Sequence, residues 1–377
     1  IRALIVTGVQ TCALPISNQM NCNIKDVARL AGVSVGTVSR VINGSDTVAG
    51  KRVDAVRKAM SELGYQKNSA AQLLAGKRGN SRLRTGNIGL WMAEMADEWI
   101  TNPVYINYLS GIESVCAARG YHVLIEHGGN SDYPRCVHEG KVDGLIVKAV
   151  NRIPEVLTEL SGRLPLIGLS MFERELPLAQ VTTDNQLAGE EVCRYLWMRG
   201  HRRIGFVSTS DQHRMFFARR SGYEYYLRQQ SAYDPTLVHS GKADESTSPQ
   251  ENFPDLHAAV GKLFANPNPP TAIIAANDWM AAGLYEALAD RNLRIPDDVS
   301  VIAFDHLTNL FLRPRLTSYA VPMYEMGRTA AEWVLDMIDA GTRHEGSGPE
   351  FRMVAGRIFE HTSVRVLNQI PVALSSV

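Results

Sequence analysis

Along residues 85–377, short apolar runs alternate with stretches of helical period, and few folds accommodate that order. Ile88–Met92, His122–Ile125, Gly144–Val147, Leu166–Leu169, Ile204–Ser208, Ala272–Ala276 and Val299–Phe304 read as short buried strands. Between most of them lie amphipathic stretches such as Tyr105–Arg119, Gln186–Arg199 and Trp279–Asp290. A strand, a crossover helix and a second parallel strand wind right-handed into a sheet covered by helices, so the pattern predicts an α/β body with parallel sheets. The body is also longer than one core usually serves, which predicts two lobes.

The 39 basic and 39 acidic side chains cancel over the whole chain but are unevenly spread. Residues 20–84 hold 12 Lys/Arg against 4 Asp/Glu, whereas residues 85–377 hold 26 against 35. A basic head on an acidic body suggests a small polyanion-binding module joined to something else. No run reaches the roughly 18 apolar residues of a membrane span. Cys12, Cys22, Cys116, Cys136 and Cys193 form no C-x-x-C and no cluster with His, so neither a disulfide framework nor a zinc site is expected.

The head shows three short helical patterns. Asn23 can cap the first, with Asp26 three residues on and Ile24, Val27, Ala28 and Ala31 as its apolar stripe. Gly32 can end it in the left-handed conformation that a tight turn needs. Ser34 is placed to cap a second helix, Val35 to Val41, with Val38, Val41 and Ile42 facing inward. A third runs from about Lys51 to Leu63, with Val53, Val56, Met60 and Leu63 as its apolar stripe, and stops at Gly64. Two helices joined by a Gly-containing turn in a basic three-helix unit predict a helix-turn-helix. Near the start of the second helix, Val35, Gly36, Thr37, Ser39 and Arg40 are small or hydrogen-bonding, as entry into a major groove requires. Arg40 suits a bidentate contact to guanine, Thr37 or Ser39 a phosphate or base edge, and Val35 a thymine methyl. A generic three-helix interaction module with an exposed arginine fits the periodicity as well.

The run Ile24-Lys-Asp-Val-Ala-Arg-Leu-Ala-Gly-Val-Ser-Val-Gly-Thr-Val-Ser-Arg-Val-Ile-Asn43 resembles the signature of the lactose-repressor family of bacterial transcription regulators. The likeness continues through Leu63-Gly-Tyr65, Asn68 and Ala70-Ala-Gln-Leu-Leu-Ala-Gly-Lys77. It implies a recognition helix in the major groove of a near-palindromic operator, bound as a homodimer. It places Ser34, Val35, Gly36, Thr37, Ser39, Arg40 and Asn43 on DNA. Ser69 to Ala75 match a hinge helix, with Ala71 in the minor groove and Leu74 as the wedge that unstacks a base step. Two departures stand out. Gly36 occupies a position where many relatives carry a base-reading side chain. The linker Gly76 to Asn87 is several residues longer than usual, and its Arg78, Arg82 and Arg84 suit either a phosphate track or a solvated tether.

In the body, Val142-Asp-Gly-Leu-Ile-Val147, Asp184-Asn185, Gly200-His-Arg-Arg-Ile-Gly205, Ala276-Asn-Asp-Trp-Met280 and Pro296-Asp-Asp-Val-Ser-Val-Ile-Ala-Phe-Asp305 continue the resemblance, as do Leu316-Thr-Ser and Glu325-Met-Gly327. The fold this implies is α/β: a helix-turn-helix head on a two-lobed, doubly wound body like the type I periplasmic binding proteins, with a ligand between the lobes. The residues agree. Asp184, Asn277 with Asp278, and Asp305 each follow an apolar strand, at the crevice where open α/β sheets bind ligands. Asn277 and Asp278 equally suit a helix cap, and Asp184 and Asp305 equally suit exposed strand ends. Arg219 matches the family's ligand-binding arginine and would supply a rigid fork of donors, with Arg220 beside it as the decoy. Trp91, Phe216 and Trp279 are candidates to cover apolar ring faces. Three acids in the cleft favour an uncharged polyol, so a sugar is the expected effector.

The expected organisation is a leader at 1–19, a DNA-binding domain at 20–68, a hinge and linker at 69–86, and an effector-binding, dimerising body at 87–377. Residues 6–17 look like a translated sequencing adapter, which would make the leader artefactual; an ordinary disordered extension is the alternative. Ile88-Gly-Leu-Trp-Met92 lacks the glycines of a dinucleotide site, and no P-loop, G-x-S-x-G or H-E-x-x-H is present. No catalytic residue, metal or cofactor is therefore expected. A sugar receptor or cleft enzyme without a regulatory role is the alternative to a cytoplasmic, ligand-controlled repressor. No heptad follows Leu367, which favours a dimer over a tetramer.

Overall fold

A computed structural model describes residues 23–42, 48–63, 65, 84–93, 103–128, 133–149, 152–210, 213–241, 253–308, 310–344 and 348–367. Asn43, Ala71, Leu74, Arg78 and Arg82 lie outside the described residues. The chain divides into two compact units, residues 1–83 and 84–377.

The first unit contains α1 (Ile24–Leu30), α2 (Val35–Ile42) and α3 (Gly50–Glu62). Asn23 Oδ1 accepts from the Lys25 N–H at 2.9 Å, and Asp26 Oδ2 accepts from the Asn23 N–H at 3.1 Å. Two donors that the helix start leaves unpaired are thus satisfied. Gly32 makes the turn at φ +63°, and Ser34 Oγ accepts from the Thr37 N–H at 3.2 Å to open α2. Val27, Val38 and Val56 are fully buried together, closed in by Ala28 and Ala59. Leu63, expected in the inward stripe of α3, is instead exposed. It is the C-cap residue, past the last full turn, and Ala59 faces the core in its stead.

The second unit carries two six-stranded sheets. In the first, β1 (Asn87–Met92), β2 (His122–His127), β3 (Gly144–Lys148), β4 (Leu166–Leu169), β5 (Ala179–Thr182) and β11 (Glu350–Met353) lie in the order β11-β5-β4-β3-β1-β2, all parallel. In the second, β6 (Ile204–Ser208), β7 (Val238–Ser240), β8 (Ala272–Ala275), β9 (Ser300–Phe304), β10 (Thr317–Ala320) and β12 (Arg357–Phe359) lie in the order β12-β10-β9-β8-β6-β7. Only β12 runs antiparallel to its neighbour. The helices are α4 (Pro103–Ala118), α5 (Arg135–His138), α6 (Leu157–Arg163), α7 (Asn185–Met198), α8 (Arg214–Gln229), α9 (Phe253–Ala265), α10 (Asp278–Ala289) and α11 (Met323–Ala340). α11 packs on α4 and the first sheet, and α7 packs on α8 and the second. The chain therefore passes between the lobes after β5, after β10 and after β11.

All seven expected strands are present within a residue or two at each end. Five others were not legible as apolar runs. β5 and β10 bury polar side chains that bond inward: Gln180 Oε1 accepts from the Glu173 N–H at 2.8 Å, and Ser318 Oγ donates to Asp278 at 2.7 Å. β7, β11 and β12 are edge strands of three or four residues.

Two reciprocal glycine pairs set the helix spacing. Gly111 of α4 and Gly327 of α11 each lie against the other helix's backbone, and Gly189 of α7 and Gly222 of α8 do the same. A methyl group at Gly222 would collide with the Gln186 carbonyl, and one at Gly189 with the Arg219 carbonyl. Contact this close sets the start of α7 beside the middle of α8. Gly222→Ala should therefore lower the urea midpoint, at a cost of about 1–3 kcal/mol or more. Gly162→Ala, in open space on α6, should be neutral or slightly stabilising. Equal effects from both would remove close packing as the reason for Gly222.

Candidate functional site

Arg219 projects from α8 and is 2% exposed. A buried guanidinium stays charged, so its donors must find acceptors. Nε donates to Asn185 Oδ1 at 3.0 Å, Nη1 to the Ala276 carbonyl at 2.6 Å, and Nη2 to Asp305 Oδ1 at 3.1 Å. The Phe304 ring lies beneath it, 4.6 Å from the guanidinium carbon. Three of the five N–H donors are thus taken among the described residues, and two are left. Arg220, by contrast, pairs with Glu224 at 3.5 Å along the same helix.

Asp305 follows β9 with φ +100°, a conformation that costs a non-glycine residue about 1–3 kcal/mol. Its surroundings hold it there. The Asp305 N–H donates to the Tyr319 carbonyl at 2.9 Å and the His306 N–H to Ser318 Oγ at 3.1 Å. Asp278 lies under this turn, with Oδ2 accepting from the Leu307 N–H at 2.6 Å and Oδ1 from Ser318. Burial, then Asp305, pushes the Asp278 carboxyl up to about 8. Burial also raises Asp305, against the opposing pull of Arg219.

From the first lobe comes Lys148, the last residue of β3, at 1% exposure. Its Nζ lies 5.8 Å from the Tyr105 ring centroid and 5.5 Å from that of Tyr108, both on α4. Burial lowers its pKa to about 8, while Asp305 pulls it upward and Arg219 pushes it further down. The Tyr108 hydroxyl donates to Ser170 Oγ at 3.1 Å, and Ser170 Oγ in turn reaches Met215 Sδ at 3.4 Å. Ser170 closes β4 at φ +55°. Arg214 of α8 pairs with Glu173. Carboxyl ends of both sheets thus converge on one cleft. His213, stacked on Phe216 at 3.5 Å between ring centroids, is held well below its usual pKa by burial, then by Arg219 and Lys148.

The expected cleft residues separate into groups. Arg219 and Asp305 are joined directly, and Phe216 lies beside them with Arg219 5.9 Å from its ring centroid. Asn277 caps α10, accepting from the Met280 N–H at 2.8 Å, and Asp184 caps α7, accepting from the Leu187 N–H at 2.8 Å. Asp278 holds the Asp305 turn from beneath, so its carboxylate oxygens are already engaged. Trp279 is half-buried, and its Nε1–H has no partner among the described residues. Trp91 is 1% exposed and sits in the core on the far face of the first sheet, among Leu145, Val147 and Leu157. Of the three acids expected in the cleft, Asp305 meets Arg219, whereas the bonds of Asp184 and Asp278 run to backbone N–H groups and to Ser318. Asn185, Lys148, Tyr105, Tyr108, Ser170 and His213 went unread. Lys148 had a signal, a single charge closing an apolar strand, the rule that found Asp305.

On the first unit, Ser34, Val35, Gly36 and Arg40 are exposed at the start and outer face of α2, while Thr37 and Ser39 are half-buried. Thr37 Oγ1 lies 3.0 Å from Ser34 Oγ, within the helix cap. Arg84 is not a free tether. It donates to Asp339 at 2.5 Å and to the Ile338 carbonyl at 2.9 Å, tying the start of the second unit to α11. Cys116, Cys136 and Cys193 are buried free thiols. No helix among the described residues is long and apolar enough to cross a membrane.

Residues 23–68 match the family of bacterial regulatory proteins named lacI, and residues 193–357 match the periplasmic binding protein-like domain. The chain is 30% identical over 359 residues to the HTH-type transcriptional repressor PurR of Vibrio atlanticus, covering 92% of this chain and 99% of that one. It is 30% identical to the repressor CytR of Escherichia coli K12, covering 86% and 92%. Among solved structures it is similar to the transcriptional regulator CelR in complex with cellobiose. That likeness has a TM-score of 0.61 and 27% identity, covering 91% of this chain and 99% of the other. The curated relatives are named as transcriptional repressors, not as enzymes, which sets aside a catalytic reading of the cleft.

Arg219→Ala would leave Asp305 buried without its cation. Losing one partner of such a pair costs about 3–5 kcal/mol, so a large drop in unfolding free energy is expected. Arg220→Ala should stay within about 0.5 kcal/mol. Chemical denaturation of the two variants checks the contrast, and similar losses would mean Arg219 is no more than a surface pair.

Proposed function

The chain belongs to the lacI family of bacterial regulatory proteins, and from that premise we propose that it is a cytoplasmic, ligand-responsive repressor binding a near-palindromic operator as a homodimer. The observation that carries this reading is a division of labour. A basic three-helix unit exposes Val35, Gly36 and Arg40 on α2, and a separate body buries an arginine fork paired with Asp305 at the strand ends. In this reading α2 enters the major groove, Arg40 reads a guanine, and Leu74 wedges the minor groove from the hinge.

The effector in the cleft is a sugar or sugar derivative. Arg219, Asp305 and the tyrosines of α4 supply the directional donors, acceptors and apolar faces that neighbouring hydroxyls and a ring require. The complex of CelR with cellobiose supports the same class. Dimerisation is supported by apolar side chains left exposed on the paired helices: Ile106 of α4, Tyr324 of α11, Leu187 of α7 and Phe217 of α8. Ligand binding favours one arrangement of the lobes, which turn about their three crossing points. Spacing of the paired heads follows, and with it operator affinity. A coupling of about 1–3 kcal/mol makes a useful switch.

Selection of binding sites from a pool of random duplexes, with the wild-type chain and with Arg40→Ala, tests the operator reading. A near-palindrome should emerge with the wild type. Arg40→Ala should lose preference at one base per half-site, worth about 1–3 kcal/mol. Uniform weakening with the same consensus would make Arg40 a phosphate contact, and no enrichment by the wild type would sink the operator reading.

A further inference from the structure

The cleft holds a positive charge that neither lobe resolves. Lys148 is fully buried, and its ammonium has no hydrogen-bond partner among the described residues. The rings of Tyr105 and Tyr108 lie within 6 Å of Nζ, and Asp305 and Arg219 act on it electrostatically. A cation over two rings regains part of what it loses on leaving water, but three N–H donors still lack acceptors.

The groups that could serve are engaged elsewhere. The Tyr108 hydroxyl is bonded to Ser170. Asp305 attracts Lys148 from a distance, yet its hydrogen bond goes to Arg219. Asp278 is occupied beneath the turn, where burial favours its neutral form, and His213 is held neutral. Lys148 and Arg219 together outweigh Asp305 by one charge. The unspent donors are three on Lys148 and two on Arg219.

We propose that the effector carries a carboxylate that sits on Lys148 Nζ, making it a sugar acid rather than a neutral sugar. The proposal rests on the cleft being the effector site. One carboxylate balances the one charge left over and accepts the orphaned N–H groups as charge-assisted hydrogen bonds. A neutral polyol would offer acceptors but leave the ammonium buried without a counter-ion. A phosphate monoester brings about −1.5 to −2 charges near neutral pH, more than this cation offsets.

The test is calorimetric titration of the full chain with matched probes: glucose, gluconate, glucuronate and glucose 6-phosphate, the galactose counterparts, and the non-sugar acids citrate and benzoate. Each is repeated with Lys148→Met and Lys148→Gln. Expected is binding of at least one sugar acid, weakened about 10- to 150-fold in both variants; sugar-acid binding of equal strength in all three proteins would overturn the proposal. The melting temperature of Lys148→Met should not fall, since the substitution removes an unpaired buried charge.

Neutral sugars binding equally to all three proteins, with no acid binding, would overturn the carboxylate and keep the sugar reading. Lys148-dependent binding of the 6-phosphates alone would overturn it in favour of phosphate. Lys148-dependent binding of citrate or benzoate alone would keep the carboxylate and remove the sugar. If no probe binds the wild type, both readings fall. If neither variant folds, the ammonium is a structural partner and the proposal fails with it.

Discussion

Most of what positions the cleft depends on a single buried cation. Burial removes the water that would otherwise surround the Arg219 guanidinium, so protein acceptors must replace that water. Three elements provide them: Asn185 at the head of α7, the Ala276 carbonyl at the end of β8, and Asp305 at the end of β9. Each acceptor has its own support. Gly189 and Gly222 let α7 and α8 touch, which brings Asn185 within reach. Asp278 and Ser318 hold the strained turn that aims Asp305. Shifting any of these would strand a charge, so the geometry is enforced by the cost of leaving it.

The two lobes contribute unequally. The second brings a paired arginine and carboxylate, whereas the first brings a lone ammonium between two tyrosine rings. Contacts between them include Ser170 reaching Met215 and Glu173 pairing with Arg214. A cleft of this kind changes its electrostatic balance as the lobes move, because Lys148 and Asp305 belong to different sheets.

The head follows a simpler logic. Val27, Val38 and Val56 make a minimal core, and the caps at Asn23 and Ser34 satisfy helix donors that so small a core could not otherwise protect. Because Val38 fixes which side of α2 faces inward, Val35, Gly36 and Arg40 are left on the outer side. Ser34 and Thr37 bond each other within the cap, so any use of them on DNA shares those atoms with the fold.

Local chemistry determined much of this in advance. Apolar runs of both-face burial marked seven strands, helical spacing marked the head, and the rule that ligands meet strand ends marked Arg219's partner Asp305. It could not mark β5 or β10, whose buried Gln180 and Ser318 read as surface residues until their partners are seen. Nor could it separate Asp278 from Asp305, two acids at strand ends of which one lies under the turn and the other faces Arg219. Trp91 illustrates the same limit, since strand alternation gives two faces but not what packs on each. Periodicity and composition act over a few residues, and so the sequence carries the elements. Which charge meets which counter-charge depends on segments far apart in the chain, as Lys148, Arg219 and Asp305 are, and only the packed structure decides it.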